Sequence, residues 1–130
     1  MGHLGLTPQS IHGLGGFKVQ GKDKESQAKI LEQAKALEKA GCFAIVLECI
    51  PEKLSKEIST ALTIPTIGIG AGLAVDGQVL VMQDMLGMDP SFQPKFLKQY
   101  LNGKELFLSA FNTYHQEVQK KAFPTEKETY

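Results

Sequence analysis

Hydrophobic positions along the chain fall into short apolar runs separated by stretches of helical period, the pattern of parallel βα units. Gly2 to Leu6 reads as a short strand that stops at the breaker Thr7-Pro8. A glycine-rich loop (Gly13, Gly15, Gly16, Gly21) follows, and Asp23 is placed to cap a helix from about Lys24 to Ala40. Ile30, Leu31, Ala34 and Leu37 share one face of that helix, with Gly41 as its terminator. Phe43 to Leu47 is a continuous aliphatic run of the kind found in buried parallel strands. Pro51 opens a second helix with Leu54, Ile58 and Leu62 on one face, and Ile64–Ile69 is a third strand leading into Gly70-Ala71-Gly72.

Asp76-Gly77 turns the chain into a fourth predicted strand, Val79–Met82. A helix near Gln93–Leu101 and a longer one near Lys104–Lys121 are expected to close the fold. This is an α/β chain whose four strands, with their loops and helices, amount to half of a (β/α)₈ barrel, since a full barrel needs about 250 residues. Residues 1–123 are assigned to that half-barrel, and 124–130 to a polar tail. A dinucleotide-binding α/β sheet shares the alternation, but Gly68-Ile-Gly-Ala-Gly72 does not fit G-x-G-x-x-G. The interval between the third and fourth strands is also too short for an ordinary crossover helix.

With 130 residues the chain is one domain's worth, and 14 basic against 14 acidic residues give it a formal charge of +0. That balance excludes the electrostatic footprint of a nucleic-acid or acidic-membrane binder. All the basic residues are Lys, so no guanidinium clamp on phosphate or carboxylate is present. Cys42 and Cys49 fit neither a disulfide framework nor a metal-ligand spacing and read as reduced thiols. No apolar run approaches the roughly 20 residues of a membrane span, and the amino-terminal residues lack a signal peptide's basic region. A soluble, cytoplasmic protein is expected.

Glu48 is the first candidate for chemistry. It ends an apolar strand and precedes Cys49-Ile50-Pro51, a position where α/β proteins place active sites. Apolar walls there would raise its pKa toward the range of a general base; a carboxylate cap on the following helix is the competing role. His3, in the first strand, is either a site residue or a histidine bonded to backbone. His12 and His115 lie in a loop and on the last helix, without metal-ligand spacing. Asp76 and Asp84 could serve as oxygen ligands of a hard cation or as turn and cap residues. The Gly68–Gly72 run brings backbone close to something, either a ligand or another part of the chain.

Five strings in order resemble one family, ketopantoate hydroxymethyltransferase: Gly2-His-Leu-Gly-Leu-Thr-Pro-Gln-Ser10, Phe17-Lys-Val-Gln-Gly21, Val46-Leu-Glu-Cys-Ile-Pro51, Ile64-Pro-Thr-Ile-Gly-Ile-Gly-Ala-Gly72, and Asp76-Gly-Gln-Val-Leu-Val81 with Asp84-Met-Leu-Gly87. The resemblance implies a (β/α)₈ barrel in the pantothenate and coenzyme A pathway. Its reaction moves a hydroxymethyl group from 5,10-methylenetetrahydrofolate, a co-substrate, to 3-methyl-2-oxobutanoate through a Mg²⁺-stabilised enolate. Glu48 matches the family's proton acceptor, and His3 a histidine lining the same pocket.

The strings match only the family's second half, and the full subunit is about twice this length by the barrel arithmetic. The Mg²⁺ ligands, and the Ser and Lys that hold the keto acid, are expected in the missing N-terminal half, with no metal ligand in this chain. Val75 and Gln83 stand where the family has Cys and His. A homo-oligomer is implied for the full-length protein. Two other readings stay open: a truncated or split-gene half that is not catalytic until it pairs with a partner half, and another enzyme of the phosphoenolpyruvate-mutase-like barrels.

Overall fold

In the computed structural model, which describes residues 1–13 and 15–130, four strands form one parallel sheet: β1 (Gly2–Gly5), β2 (Ile45–Glu48), β3 (Thr66–Ile69) and β4 (Gly77–Gln78). Their spatial order is β1-β2-β3-β4, the order in which the chain makes them. A doubly wound sheet reverses its strand order at a switch point, and these strands show no reversal. The register pairs Gly5 with Glu48 and Glu48 with Ile69, so three strand ends lie level. The chain divides into two units, Met1–Leu80 and Val81–Tyr130.

In the first unit, helix α1 (Lys24–Lys39) starts at Asp23, whose carboxylate accepts the Ser26 amide at 2.8 Å. It buries Ile30 and Ala34, while α2 (Glu52–Ala61) buries Leu54, Ser55 and Ile58. The apolar ones among them join Ile45 and Leu47 in one core, with Leu4, Leu31 and Leu37 packed against it. Strand residues alternate in direction. Ile45 and Leu47 point at the helices, so Val46 and Glu48 point to the other face, where His3, paired with Val46, also lies. Glu38, near the end of α1, accepts the Thr63 and Ile64 amides and so ties α1 to the entry of β3.

The short interval between β3 and β4 has a specific construction. From Gly70 the chain turns back along the sheet without a helix, burying Ala71 in the core and packing Val75 against it. At the bottom of that return, Asp76 accepts both the amide (2.8 Å) and the hydroxyl (2.9 Å) of Thr66, the first residue of β3. Thr66 also meets Ser59 of α2 at 2.7 Å. Asp76 is therefore a tie at the start of β4. These hydrogen bonds hold its carboxyl below the ordinary value of 3.8, the Thr66 amide being the largest cause.

Two expectations follow. Replacing the buried Thr66 by Val removes a hydroxyl with two partners, at roughly 1 kcal/mol. Hydrogen exchange at the Asp76 amide, which bonds Thr66 O at 3.0 Å, should then quicken about fivefold. Because the folded carboxyl titrates below its unfolded value, its contribution is complete above that value and disappears as pH falls through the folded one. The protection factor of the Asp76 amide, taken against the intrinsic rate at each pH, should therefore also fall in acid below about pH 4, and less steeply in Thr66→Val.

Other segments differ from the sequence reading. Phe43 stands outside β2 and is exposed. The fourth strand is Gly77–Gln78, extended only by the Val79 amide on Gly68 O, because β3 ends at Ile69 and offers no further ladder. Met82, expected to end the fourth strand, instead opens a short helix, α3 (Met82–Met85).

In the second unit no helix forms at Gln93–Leu101. The amides of Tyr100, Gly103 and Lys104 bond the carbonyls of Met85, Leu86 and Gly87, so this stretch pairs with α3 and its exit rather than with itself. The last helix, α4 (Gly103–Gln119), forms close to the expected place but buries only Gly103, leaving Leu106, Phe111 and Tyr114 more than half exposed. Tyr114 meets Phe123 edge to face at 5.6 Å. Within residues 124–130, Thr125 caps a single turn, Glu126–Glu128, through a reciprocal capping box with Glu128.

Candidate active site

The backbone around Glu48 is tightly determined. The Glu48 carbonyl accepts the Leu6 amide at 2.8 Å, and the Cys49 amide donates to Ile69 O at 2.9 Å. Cys49 is left-handed, with φ 49, so the chain swings sharply aside directly after the carboxylate. A non-glycine residue there costs on the order of 1 kcal/mol, which the surrounding hydrogen bonds must offset. Gly5, the residue paired with Glu48, has φ 90, and a Cβ on it would collide with the Glu48 carbonyl and with Ile50. The glycine that ends β1 is thus fitted to its neighbour.

A side-chain contact links β1 and β2 at this level. His3 Nε2 is 2.9 Å from Glu48 Oε2, with the two side chains 33% and 19% exposed. An ionised carboxylate can only accept, so the imidazole Nε2 donates. This leaves Oε1 without a protein partner among the described residues and turned to the face the helices do not cover. The pair joins the two residues singled out from the sequence. It answers the competing role for Glu48, since its side chain bonds His3 and not the amides that open α2.

Cys49 is not a nucleophile in waiting. Burial pushes its thiol up, and the neighbouring Glu48 carboxylate adds to the rise, so it stays protonated at neutral pH. Asp84 sits in the first turn of α3, and Asp89 accepts the Ser91 amide and hydroxyl. Among the described residues no three His, Cys, Asp or Glu side chains gather in a way that could hold a metal ion. Mg²⁺ needs near-octahedral oxygen coordination anchored by carboxylates, so these residues do not fit it by themselves. Among the described residues no helix is long and apolar enough to cross a membrane.

Beside the pair runs a cleft of about 400 Å³ along the outer edge of β1, lined by His3, Gly5, Thr7, Gln20, Ser26 and Lys29. On the other side of Glu48, Ile69 leads into the Gly70-Ala71-Gly72 turn. Gly72 has φ 80 and lies against the side chain of Glu52, which leaves no space for a Cβ. The run of glycines thus closes on the protein's own α2. Sequence reading had no signal for this contact, because Glu52 looks like any acidic residue in a helix's first turn.

A parallel α/β sheet with a histidine-bonded carboxylate level with its strand ends defines the candidate site. The chain belongs to the ketopantoate hydroxymethyltransferase family, whose model matches residues 1–126. It is 64% identical over its whole length to the 3-methyl-2-oxobutanoate hydroxymethyltransferase of Bdellovibrio bacteriovorus, covering 49% of that protein. The proteins of the same name from Francisella tularensis and Legionella pneumophila are each 58% identical over the whole chain, which covers 49% and 50% of them. The chain thus spans about half the length of the curated relatives it matches.

Proposed function

We propose that this chain carries the proton-accepting part of an enzyme that converts 3-methyl-2-oxobutanoate to ketopantoate, with Glu48 as the base. The single observation behind the reading is the 2.9 Å contact between His3 Nε2 and Glu48 Oε2 at the strand ends, within a chain of this family. The keto acid has one acidic C–H, at C3, next to its carbonyl. Glu48 Oε1 takes that proton while His3 holds Oε2 and so fixes the direction of the carboxylate. Water adds to the one-carbon unit of 5,10-methylenetetrahydrofolate, both of its C–N bonds break and tetrahydrofolate leaves. The carbanionic C3 bonds to the released carbonyl carbon, and the proton held on Glu48 passes to the new hydroxyl oxygen, which came from water. General-base removal of this kind contributes about 10²–10⁴-fold to a rate.

In this reading residues 1–123 are the C-terminal half of a (β/α)₈ barrel and 124–130 its tail. The strand order and the cleft along the outer edge of β1, where a preceding strand and helix would add, support it. The Mg²⁺ ligands, and the groups that hold the keto acid, are assigned to the half of the relatives' length that this chain does not span. The chemistry of the chain's own residues is then proton transfer alone. A cytoplasmic homo-oligomer completes the proposal.

The test is made on the chain completed with the uncovered half of the Bdellovibrio bacteriovorus relative. In D₂O without the folate donor it should exchange the C3 hydrogen of 3-methyl-2-oxobutanoate, and with the donor it should release ketopantoate. Neither exchange nor product would sink the proposal.

A further inference from the structure

We propose that Glu52 and Ser55, both on α2, are positioning residues that hold the Gly70–Leu73 turn as a preset wall of the site beside Glu48. The inference rests on the function proposed above. The turn leaves β3 directly after Ile69, the residue paired with Glu48, and Ile69 O is bound by the Cys49 amide. Three side chains then fix it from outside. The Ser55 hydroxyl, fully buried, donates to Ala71 O at 2.5 Å, with Glu52 O as its other neighbour at 2.8 Å. Glu52 Oε1 accepts the Leu73 amide at 3.2 Å, and Gln78 Nε2 donates to Gly72 O at 2.7 Å.

Core packing explains Ala71, which is itself fully buried, but not the polar ties around it. A serine within a helix is an indifferent choice where an apolar residue of its size would fill the space. Its hydroxyl is needed because the Ala71 carbonyl is buried with it, and a buried carbonyl without a partner is costly. The result is a turn held rigid although its last residue, Leu73, is 85% exposed. A wall ordered before substrate arrives need not be ordered by substrate, so its rigidity appears in binding rather than in the proton-transfer step.

This division sets the test, made on the same completed enzyme. Glu52→Ala should raise KM for 3-methyl-2-oxobutanoate or for the folate donor about tenfold, which corresponds to about 1.4 kcal/mol. Its kcat, and the pH profile of kcat, should stay as in the parent. Glu52→Gln, whose amide oxygen still accepts the Leu73 amide, should restore both KM values. Ser55→Ala should act like Glu52→Ala. Should that variant not fold, the exposed Glu52 pair decides alone.

Unchanged KM values in Glu52→Ala, equal damage in Glu52→Gln, or a shifted pH profile would each overturn the assignment. Hydrogen exchange at the Leu73 amide gives a readout apart from activity: faster in Glu52→Ala and unaltered in Glu52→Gln if the tie is real, and equal in both if it is not. A parent enzyme that releases no ketopantoate counts against the proposed function. A productive parent with indifferent Glu52 variants counts against the wall alone.

Discussion

In the completed enzyme, Glu48→Gln lowers turnover by about 10²–10⁴-fold while the fold persists. The amide is close to isosteric with the carboxylate, and its oxygen still accepts from His3 Nε2, so the β1–β2 contact survives. What disappears is the basic oxygen, and with it C3–H exchange in D₂O. Loss of exchange together with loss of product marks Glu48 as the base. If exchange persists at the parent rate while product formation falls, another group takes the proton and Glu48 acts later. His3→Gln separates the partner's role: an amide nitrogen can still donate to Oε2, so the loss should be much smaller than for Glu48→Gln. A kcat of Glu48→Gln near the parent value ends the assignment.

Local signals carried the first unit a long way. Asp23 caps α1, and Ile30 and Ala34 face the core, as the 3.6-residue period and the capping residue imply. Glu48 was legible as a carboxylate ending a buried run, whereas its partner His3 became a candidate for the same pocket only through the family resemblance. The features that were not legible depend on contacts distant in sequence. Asp76 looks like any turn aspartate until Thr66, ten residues earlier, is brought to its carboxylate. Lys95 to Tyr100 has enough helix formers to suggest a helix, yet Tyr100 gives its amide to Met85. Pairing between distant backbone groups overrides propensity there. The exposed apolar side of α4 is likewise invisible to period analysis, which finds a stripe without saying what, if anything, covers it.

Expressed by itself, this 130-residue chain should neither bind Mg²⁺ tightly nor form ketopantoate, and supplying the uncovered half should restore both. The site argument comes first. In the proposed reading Glu48 and His3 are a base and its holder, but a C–H beside a ketone is a weak acid, and without an electrophile on the carbonyl the carboxylate removes its proton too slowly to count. No described cluster of acidic or histidine side chains can supply that electrophile by anchoring a cation. The fold argument points the same way. β1 is an outer strand with an open cleft at its side, and unpaired parallel edges are normally closed or covered. The other edge, β4, is short enough to be harmless. The lone chain should therefore pair with a second copy, aggregate, or stay loosely packed, with weak near-UV dichroism from its 3 Tyr and 7 Phe. Light scattering, Mg²⁺ titration and the product assay are run on the chain alone and after adding the other half. A rigid monomer with Mg²⁺-dependent turnover would overturn the half-barrel proposal and return Asp76, Asp84 and Asp89 to consideration as ligands. Activity that appears only on mixing, with sharpening of the near-UV spectrum, would mean that Glu48 waits on a metal and a substrate cradle built by residues outside this chain.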